Sequence, residues 1–426
     1  MKNVIVLGAG LAGLGFARTI PRARVYEAKS HPGGHAYSHP ADGLAFDEGA
    51  HICHSRDGAW LRLITRAAGR VERIPQSRVT NFWHGEWVTY PVQNNLADLP
   101  LIPRVQALTG FLHAQVEFRG RIPRNYEQWC RFQYGDYLTD QFYALYTAKY
   151  WRVPMSDLST DWISGRLIPS QVDRIIAGAL APQEEQQSTF ARFRYPAHGG
   201  FFAFVRPLYD RVNAVYNARA VAVDAGRRIV EFSTGERQRY DALASSIPLP
   251  ELVRMTRGAP ASVRAAAAKL RHVQLLCVNL VIRRPRLSPA HWFYIYDPDI
   301  EASRVSVISN LAPRSVPRGA TVIQAEVFRG SNERVDAGRL TAKTVKDLAR
   351  VLGFDPEKDV ERAVPVRAPY AYVISDLDRA RAVAHATGWL RRQRIFPMGL
   401  FGGWKFIWSD AAFRSGVETA RTIREM

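Results

Sequence analysis

Three glycines near the start of the chain have the spacing of a phosphate-binding turn. Gly8, Gly10 and Gly13 follow an apolar run at 4–7, and Glu27 comes 14 residues after the last of them. The first glycine permits a tight turn, the second lets backbone N–H groups approach a pyrophosphate, and the third lets a helix pack against a strand. The helix N-terminus adds partial positive charge, and the acid can accept hydrogen bonds from a ribose diol. Together these residues predict a dinucleotide-binding strand, turn and helix.

A glycine pair further along indicates which dinucleotide binds. Gly33-Gly34 begins six residues after Glu27. Here the chain resembles the two-dinucleotide-binding flavoproteins, the group that holds amine oxidases, protoporphyrinogen oxidases and UDP-galactopyranose mutases. Asp47-Glu48-Gly49-Ala50-His51 is similar to the stretch that this group keeps under its flavin. The resemblance implies non-covalent FAD, and the predicted cofactor-binding residues are Gly8, Gly10, Leu11, Ala12, Gly13, Glu27, Ala28, Gly33, Gly34, His35, Val221, Gly402, Asp410 and Ala411.

Further segments, in the same order along the chain, resemble the eukaryotic-type UDP-galactopyranose mutases. They are Tyr90-Pro91-Val92-Gln93-Asn94-Asn95, Trp151-Arg152-Val153-Pro154, the stretches 162–166, 193–200 and 291–294, the residues Arg304, Ser309, Asn310 and Tyr372, and the stretch 399–410. Any one of them could be a core aromatic residue or a turn. Their colinear order makes coincidence improbable, and the resemblance covers the whole chain.

The resemblance also implies roles for individual residues. It implies catalytic roles for His51, Arg166 and Arg304, with the two arginines holding an anionic leaving group. The substrate-binding residues that it implies are Tyr90, Gln93, Asn94, Trp151, Trp292, Tyr294 and Tyr372. The implied reaction interconverts the pyranose and furanose forms of a nucleotide sugar, with N5 of reduced FAD as the nucleophile at the anomeric carbon. An electron donor such as NAD(P)H or a reductase would keep the flavin reduced.

Three positions depart from the mutase pattern. The mutases have arginine where this chain has Leu400, and tyrosine where it has Phe406 and Leu311. Those groups grip a diphosphate in the mutases, and a hydrogen bond to a charged group contributes about 1.5–3 kcal/mol. Two alternatives therefore stay open: an FAD-dependent oxidoreductase of the amine oxidase type, and a flavin-binding scaffold without activity.

The elements that must position these residues follow from the apolar pattern. Alternating and continuous apolar runs predict strands, and apolar residues three and four apart predict helices. Strands are predicted at 4–7, 23–26, 82–88, 220–223, 228–232, 240–247, 273–282, 292–296, 305–309 and 321–327, the last four in one antiparallel sheet. Helices are predicted at 11–20, 202–215, 339–352 and 410–423, and an aromatic-rich helical region at 105–175.

This pattern predicts an α/β fold with three parts. A discontinuous FAD-binding Rossmann-like domain takes 1–75, 196–260 and 390–426. A helical insert takes 95–190, and a mixed or antiparallel sheet domain for the substrate takes 76–94 and 261–389.

The composition of the chain narrows the classes of protein that remain possible. No apolar run reaches the 18 residues that a membrane span needs. Cys53, Cys130 and Cys277 form no CxxC pair, so neither a disulfide framework nor a metal site is predicted, and a reducing cytoplasm fits. The net charge of +19 is spread along the chain without a recognisable nucleic-acid module, which indicates a solvated basic surface or attraction to anionic partners. A homo-oligomer stays open.

Overall fold

The computed structural model describes residues 3–183 and 190–426. Over these residues, strands β1 to β20 span Val4–Leu7, Arg24–Tyr26, Ser38–Ala41, Leu44–Asp47, Val71–Ile74, Val79–Trp83, Glu86–Thr89, Phe193–Pro196, Ala214–Val215, Ala220–Asp224, Ile229–Phe232, Arg237–Arg239, Ala242–Ser245, Thr256–Arg257, His272–Ile282, Trp292–Ile295, Arg304–Val307, Thr321–Gly330, Val360–Val373 and Ile395–Pro397. Helices α1 to α13 span Leu11–Thr19, Gly58–Ala68, Leu101–Glu117, Tyr126–Leu138, Leu145–Tyr150, Val172–Leu180, Leu249–Met255, Ala261–Ala268, Ile308–Leu311, Ala337–Leu352, Arg379–Arg392, Gly399–Gly402 and Ser409–Glu425.

A five-stranded parallel sheet carries the N-terminal glycine turn. Its order is β20-β13-β1-β2-β9, so strands from distant parts of the chain lie side by side, all parallel. All four side chains of β1 are buried, as expected for a parallel strand covered on both faces. The predicted α/β class is confirmed, and the first βαβ unit forms as predicted.

A seven-stranded sheet forms the opposite side of the molecule, in the order β19-β15-β18-β17-β16-β6-β7. The four strands predicted for one sheet are β15 to β18, and their pairings with one another are antiparallel. The prediction of a single strand at 82–88 is wrong. The chain instead forms the β6–β7 hairpin, because His84 and Gly85 adopt the positive φ values of a tight turn. Strand β6 pairs parallel to β16, which makes the sheet mixed.

The aromatic-rich region is helical only over part of its length. Helix α4 runs through a π-helical stretch, Thr139–Ala144, into α5. Between α5 and α6 the chain forms turns around Pro154 and Gly165 rather than a helix. Positions 184–189 of the predicted insert lie outside the described residues. No described helix is long and apolar enough to cross a membrane.

The helix predicted at 202–215 is also wrong. The chain forms two 3-10 turns, Phe201–Phe204 and Arg206–Tyr209, and then the short strand β9. Pro207 lies in the second turn. A proline inside a helix removes a backbone donor and clashes with the preceding turn, so a continuous helix cannot pass through this position.

Helices α1 and α13 cross with their backbones in direct contact. A Cβ added to Gly416 would overlap the carbonyl oxygen of Ala12, and one added to Gly15 would overlap that of Phe413. The contact therefore depends on glycine at both positions. It packs the last helix of the chain directly against the first.

We expect Gly416→Ala to lower stability, because overpacking of a close contact typically costs about 1–3 kcal/mol. Gly388→Ala in α11 is the matched control, since the nearest atom to its added Cβ is 3.9 Å away and alanine stabilises a helix interior relative to glycine. Thermal unfolding should show a lower melting temperature for Gly416→Ala and an equal or higher one for Gly388→Ala. Equal melting temperatures for both variants would contradict the crossing.

Candidate functional site

A cavity of about 570 Å³ lies between the parallel sheet and the seven-stranded sheet. Its lining changes character along its length. We call one part the nucleotide end; its lining includes Gly8, Gly10, Glu27, Gly33 and Gly34. We call the other part the aromatic end; its lining includes Tyr150, Arg166, Trp292, Tyr294, Arg304, Tyr372, Phe406 and Trp408.

At the nucleotide end, two glycine segments meet backbone to backbone. The N–H of Gly33 donates to the carbonyl of Ala9 at 2.8 Å, and a Cβ on Gly34 would lie 3.0 Å from the Cα of Gly10. Helix α1 begins there without a side-chain cap on its first N–H groups. Uncapped N–H groups at a helix N-terminus form a ready site for a phosphate.

Glu27 is held in one orientation beside this turn. One carboxylate oxygen accepts from the N–H of Ala9 at 2.7 Å, and the other accepts from the N–H of Lys29 at 2.9 Å. The side chain is largely buried but lines the cavity. Each carboxylate oxygen has capacity for a further donor, so Glu27 suits a ribose diol.

A second helix N-terminus faces the same cavity. Helix α13 begins after Trp408 without a side-chain cap, and Asp410 lies in its first turn. The hydroxyl of Ser55 donates to the Asp410 carboxylate, which ties the loop 50–56 to the start of the helix. Asp410 and Ala412 both line the cavity.

Three basic side chains contact the carboxylate of Glu48 at the cavity wall near the glycine pair. Lys29, His35 and His39 reach its carboxylate at 3.1, 2.8 and 2.9 Å. Burial alone would raise the pKa of Glu48, but the hydrogen bonds from His35 and His39 and the charge of Lys29 outweigh it. Its pKa therefore lies well below the usual value, and Glu48 stays ionised.

At the aromatic end, Arg166 lies between two rings. Its guanidinium carbon is 3.6 Å from the centre of the Phe406 ring and 3.8 Å from that of Trp408. One nitrogen donates to the carbonyl of Phe406 at 2.8 Å. Burial lowers the pKa of Arg166 to about 10, so the side chain is still a cation at neutral pH. Stacking on aromatic faces suits the planar guanidinium.

Arg304 forms a two-pronged ion pair with Glu326, its partner across strands β17 and β18. The Nε and one terminal nitrogen of Arg304 each donate to the carboxylate at 2.8 Å. Glu326 is fully buried and also accepts the N–H of Ala50 at 2.7 Å. Burial by itself would lower the pKa of Arg304, but the Glu326 charge raises it well above its ordinary value. Arg304 is therefore ionised, with its charge balanced.

Several residues of this end were not predicted from sequence. His54 packs edgewise on Phe190 and Trp408 at 4.7 and 4.5 Å between ring centres. Burial lowers the pKa of His54 to about 4 against the opposing charge of Asp410, so the ring is neutral near pH 7. Glu326 could have been noticed as an acid in the middle of an apolar strand. His54 carried no comparable signal in the sequence.

The structure brings sixteen of the predicted site residues to the cavity wall. They are Gly8, Gly10, Leu11, Ala12, Glu27, Ala28, Gly33, Gly34, His35, His51, Arg166, Trp292, Tyr294, Arg304, Tyr372 and Asp410. The Nδ1 of His51 lies 3.0 Å from the carbonyl oxygen of Gly49, which can only accept, so Nδ1–H is the donor. The other eight do not line this cavity: Gly13, Tyr90, Gln93, Asn94, Trp151, Val221, Gly402 and Ala411.

Four predicted substrate contacts lie behind the wall. Tyr90 packs on Tyr294 with 5.3 Å between ring centres, and Trp151 packs edgewise on Phe406 at 5.2 Å. Gln93 accepts a hydrogen bond from Tyr143 at 3.2 Å. Asn94 lies with its backbone carbonyl against Gly178 of α6. Tyr90 and Trp151 therefore pack against residues that face the cavity, whereas Gln93 and Asn94 contact residues away from it.

Four predicted cofactor residues lie outside the cavity lining, and the role given to Gly13, close packing of helix on strand, agrees with its contacts. A Cβ on Gly13 would overlap the Gly8 carbonyl, and one on Gly402 would crowd that of Ser245, so both glycines serve backbone packing. Val221 is 49% exposed, and its neighbour Ala220 lines the cavity instead, because successive side chains of a strand point to opposite faces. Ala411 is absent from the wall, between Asp410 and Ala412, which line it.

The fold and the nucleotide end together define a flavoprotein. The chain matches the family of flavin containing amine oxidoreductases over residues 11–423 and belongs to that family. Membership implies a flavin cofactor, and the residues at the nucleotide end fit FAD. The paired glycine segments and the uncapped N-terminus of α1 suit its pyrophosphate, and Glu27 suits its adenosine ribose.

Solved structures show which members share this architecture. A crystal structure of reduced UDP-galactopyranose mutase is similar over 100% of this chain and 96% of its own, with a TM-score of 0.93 and 25% identity. A putative protoporphyrinogen oxidase from Exiguobacterium sp. 255-15 covers 100% and 99%, with a TM-score of 0.77 and 16% identity. A putrescine oxidase variant with redesigned cofactor binding covers 100% and 99%, with a TM-score of 0.64 and 17% identity. The last two share the fold.

We expect Gly10→Val to abolish flavin binding and leave the fold intact. Gly10 has an extended backbone with φ −77°, which valine adopts readily. The nearest atom to its added Cβ, outside its neighbours, is 3.8 Å away. The side chain would therefore occupy the space of the pyrophosphate. Purified Gly10→Val should be colourless, with the melting temperature of flavin-stripped wild type.

Thr19→Val at the far end of α1 is the control, because it adds the same residue away from the cavity. It should keep the flavin-to-protein ratio of wild type. A yellow Gly10→Val protein with an unchanged ratio would show that the cofactor does not use this turn.

Proposed function

We propose that this chain is an FAD-dependent mutase that interconverts the pyranose and furanose forms of an activated sugar. The observation that carries the proposal is the convergence of Arg166, Arg304, Trp292, Tyr294 and Tyr372 on one cavity that is continuous with the nucleotide end. The similarity to reduced UDP-galactopyranose mutase over the full chain supports it.

The chemistry divides between cofactor and protein. Reduced FAD, when bound, supplies a nucleophile for the anomeric carbon, and an electron donor such as NAD(P)H or a reductase keeps it reduced. Arg166, fixed between Phe406 and Trp408, binds the anionic leaving group and stabilises the charge that grows as it departs. The aromatic walls exclude water, which protects the reacting sugar from hydrolysis.

Tyrosine hydroxyls supply neutral hydrogen-bond donors to the sugar. Burial raises the pKa of Tyr150 well above its ordinary value, and it raises that of Tyr372 despite the nearby charge of Arg304. Both hydroxyls stay protonated at neutral pH. They can orient sugar or phosphate oxygens without adding a charge to the site.

A second candidate is an oxidoreductase of the amine oxidase type. The observation that favours it is the apolar character of Leu400 and Phe406 in the cavity wall. The two candidates differ in what they consume. An oxidase bleaches its flavin when it meets its substrate under nitrogen and then takes up oxygen. A mutase requires reduced flavin and consumes no oxidant.

The direct test is an anaerobic incubation of dithionite-reduced protein with a panel of nucleotide sugars. We expect isomeric sugar products by chromatography, and none with the oxidised protein. Flavin bleaching and hydrogen peroxide release from a sugar or an amine, without an isomeric product, would favour the oxidoreductase.

We expect Arg166→Ala to lower turnover by roughly 10- to 100-fold, because a hydrogen bond to a charged group contributes about 1.5–3 kcal/mol. FAD content should be unchanged. Arg174→Ala is the matched control, since Arg174 is an exposed arginine on α6 that does not line the cavity. Equal turnover for both variants would remove Arg166 from the reaction.

A further inference from the structure

The cavity as a whole carries little net positive charge. Among the described residues, its lining includes four basic side chains, Lys29, Arg166, Arg219 and Arg304, and four acidic ones, Glu27, Glu48, Glu251 and Asp410. This balance contrasts with the chain as a whole, whose net charge is +19. The bound cofactor would itself add the two negative charges of its pyrophosphate, which the N-terminus of α1 at the nucleotide end can receive.

The aromatic end carries even less positive charge that is not balanced by a nearby carboxylate. The guanidinium of Arg304 is held in two-pronged contact by Glu326, whose side chain is fully buried. Only 16% of the Arg304 side chain and none of the Glu326 side chain is exposed, so water screens the pair weakly and the carboxylate offsets part of the field that Arg304 exerts on a ligand. Arg166 and the Arg304–Glu326 pair together give this end no more than one net positive charge.

Among the residues that the structure describes, the rest of the lining at the aromatic end adds dipoles and rings but no further lysine or arginine. Leu400 and Phe406 are half-buried and pack into the hydrophobic core. Trp292 places a buried indole nitrogen beside the hydroxyl of Tyr294, and an indole can only donate. Such a wall suits one acceptor-rich group of low charge beside an apolar or aromatic surface.

We infer that the leaving group of the substrate is joined to the sugar through a single phosphate, so that the substrate is a glycosyl phosphodiester and not a glycosyl diphosphate. This inference rests on the proposed mutase function. A phosphodiester enters the site with one negative charge, whereas a nucleoside diphosphate sugar enters with two. The second negative charge would lie against aromatic rings and against an arginine that is already paired with Glu326. It would lose its hydration without gaining a partner, which is unfavourable.

The charge balance holds through the reaction. The bond between C1 of the sugar and the phosphate oxygen breaks, and the oxygen keeps the electron pair. Within the sugar, the C1–O5 bond breaks and a C1–O4 bond forms, and the proton of the O4 hydroxyl ends on O5. The same phosphate oxygen then re-forms a bond to C1 of the furanose, so nothing is oxidised or reduced overall. During departure the phosphate gains one negative charge, which Arg166 stabilises.

The group that is attached to the phosphate on the side away from the sugar belongs to one of two chemical classes. A nucleoside would stack on Trp292 or Trp408, and a prenyl chain would lie along the same aromatic wall. Both share the single phosphate that the inference specifies. The experiment therefore uses one compound of each kind.

The test titrates the reduced, FAD-loaded protein with three galactose donors: uridine 5′-galactosyl phosphate, a short prenyl galactosyl phosphate in neutral detergent, and UDP-galactose. Quenching of tryptophan fluorescence gives the dissociation constant, and chromatography gives the isomeric product. Titrations at 0.15 M salt limit the general attraction of the basic surface, because the Debye length is then about 8 Å.

We expect at least one phosphodiester to bind tenfold or more tightly than UDP-galactose and to be isomerised. Whichever phosphodiester binds more tightly identifies the source. UDP-galactose binding as tightly as the better phosphodiester, with isomerisation, would overturn this inference and leave the mutase proposal standing. Tighter phosphodiester binding with no isomerisation of any donor would support the charge argument and refute the mutase.

A charge variant tests the physical reason directly. Leu400→Arg adds a cation to the cavity wall and should improve UDP-galactose binding about tenfold relative to the phosphodiester. Leu377→Arg is the matched control, because Leu377 is 57% exposed and does not line the cavity. An unchanged preference in Leu400→Arg, with flavin content and melting temperature as in wild type, would overturn the inference.

Discussion

The arrangement of the cavity depends on how closely the chain approaches helix α1. Backbone lies directly against backbone where Gly34 meets Gly10, where Gly13 meets the turn before it, and where Gly416 of α13 meets Ala12. A Cβ added to Gly13 or Gly416 would overlap a backbone carbonyl oxygen, and one added to Gly34 would lie 3.0 Å from the Cα of Gly10. Because the N-terminus of α1 and the diglycine segment approach each other so closely, the phosphate-binding geometry depends on absent side chains. This explains why a site for a large cofactor can be specified by a few glycines far apart in sequence.

The Arg304–Glu326 ion pair has a comparable structural role at the aromatic end of the cavity. Burying two charges costs more than their attraction returns unless hydrogen bonds satisfy them. Here the carboxylate receives the guanidinium and also the N–H of Ala50. The pair therefore links strands β17 and β18 to the loop that carries His51, and it fixes the distance between the seven-stranded sheet and the nucleotide end. The same pair sets the charge that a ligand meets.

Local patterns in the sequence were sufficient to predict the residues of the nucleotide end. They predicted the residues of the aromatic end less well. The glycine turn, Glu27 and the diglycine pair are close in sequence, and their spacing alone predicts their meeting. Glu326 could not be assigned a partner, because its pairing with Arg304 depends on the register of two strands. Val221 missed the wall by one residue for the same reason: a strand alternates its faces. Tyr90 and Trp151 were predicted to bind the substrate and instead pack behind Tyr294 and Phe406, because a resemblance in sequence does not distinguish the residues that face a cavity from those that support them.

The similarity to a solved mutase combines a TM-score of 0.93 with 25% identity, and the structure suggests why these two values can coexist. The scaffold depends on backbone contacts at glycines and on buried apolar strands, which many sequences satisfy. The wall depends on single side chains that the scaffold does not need. Leu400 and Phe406 pack well as apolar residues, so exchanging a polar group for either costs the fold little and changes the charge of the site. Function can therefore diverge at the wall while the fold stays the same, and the balance of charge around Arg166 and Arg304 carries more information about the substrate than the architecture does.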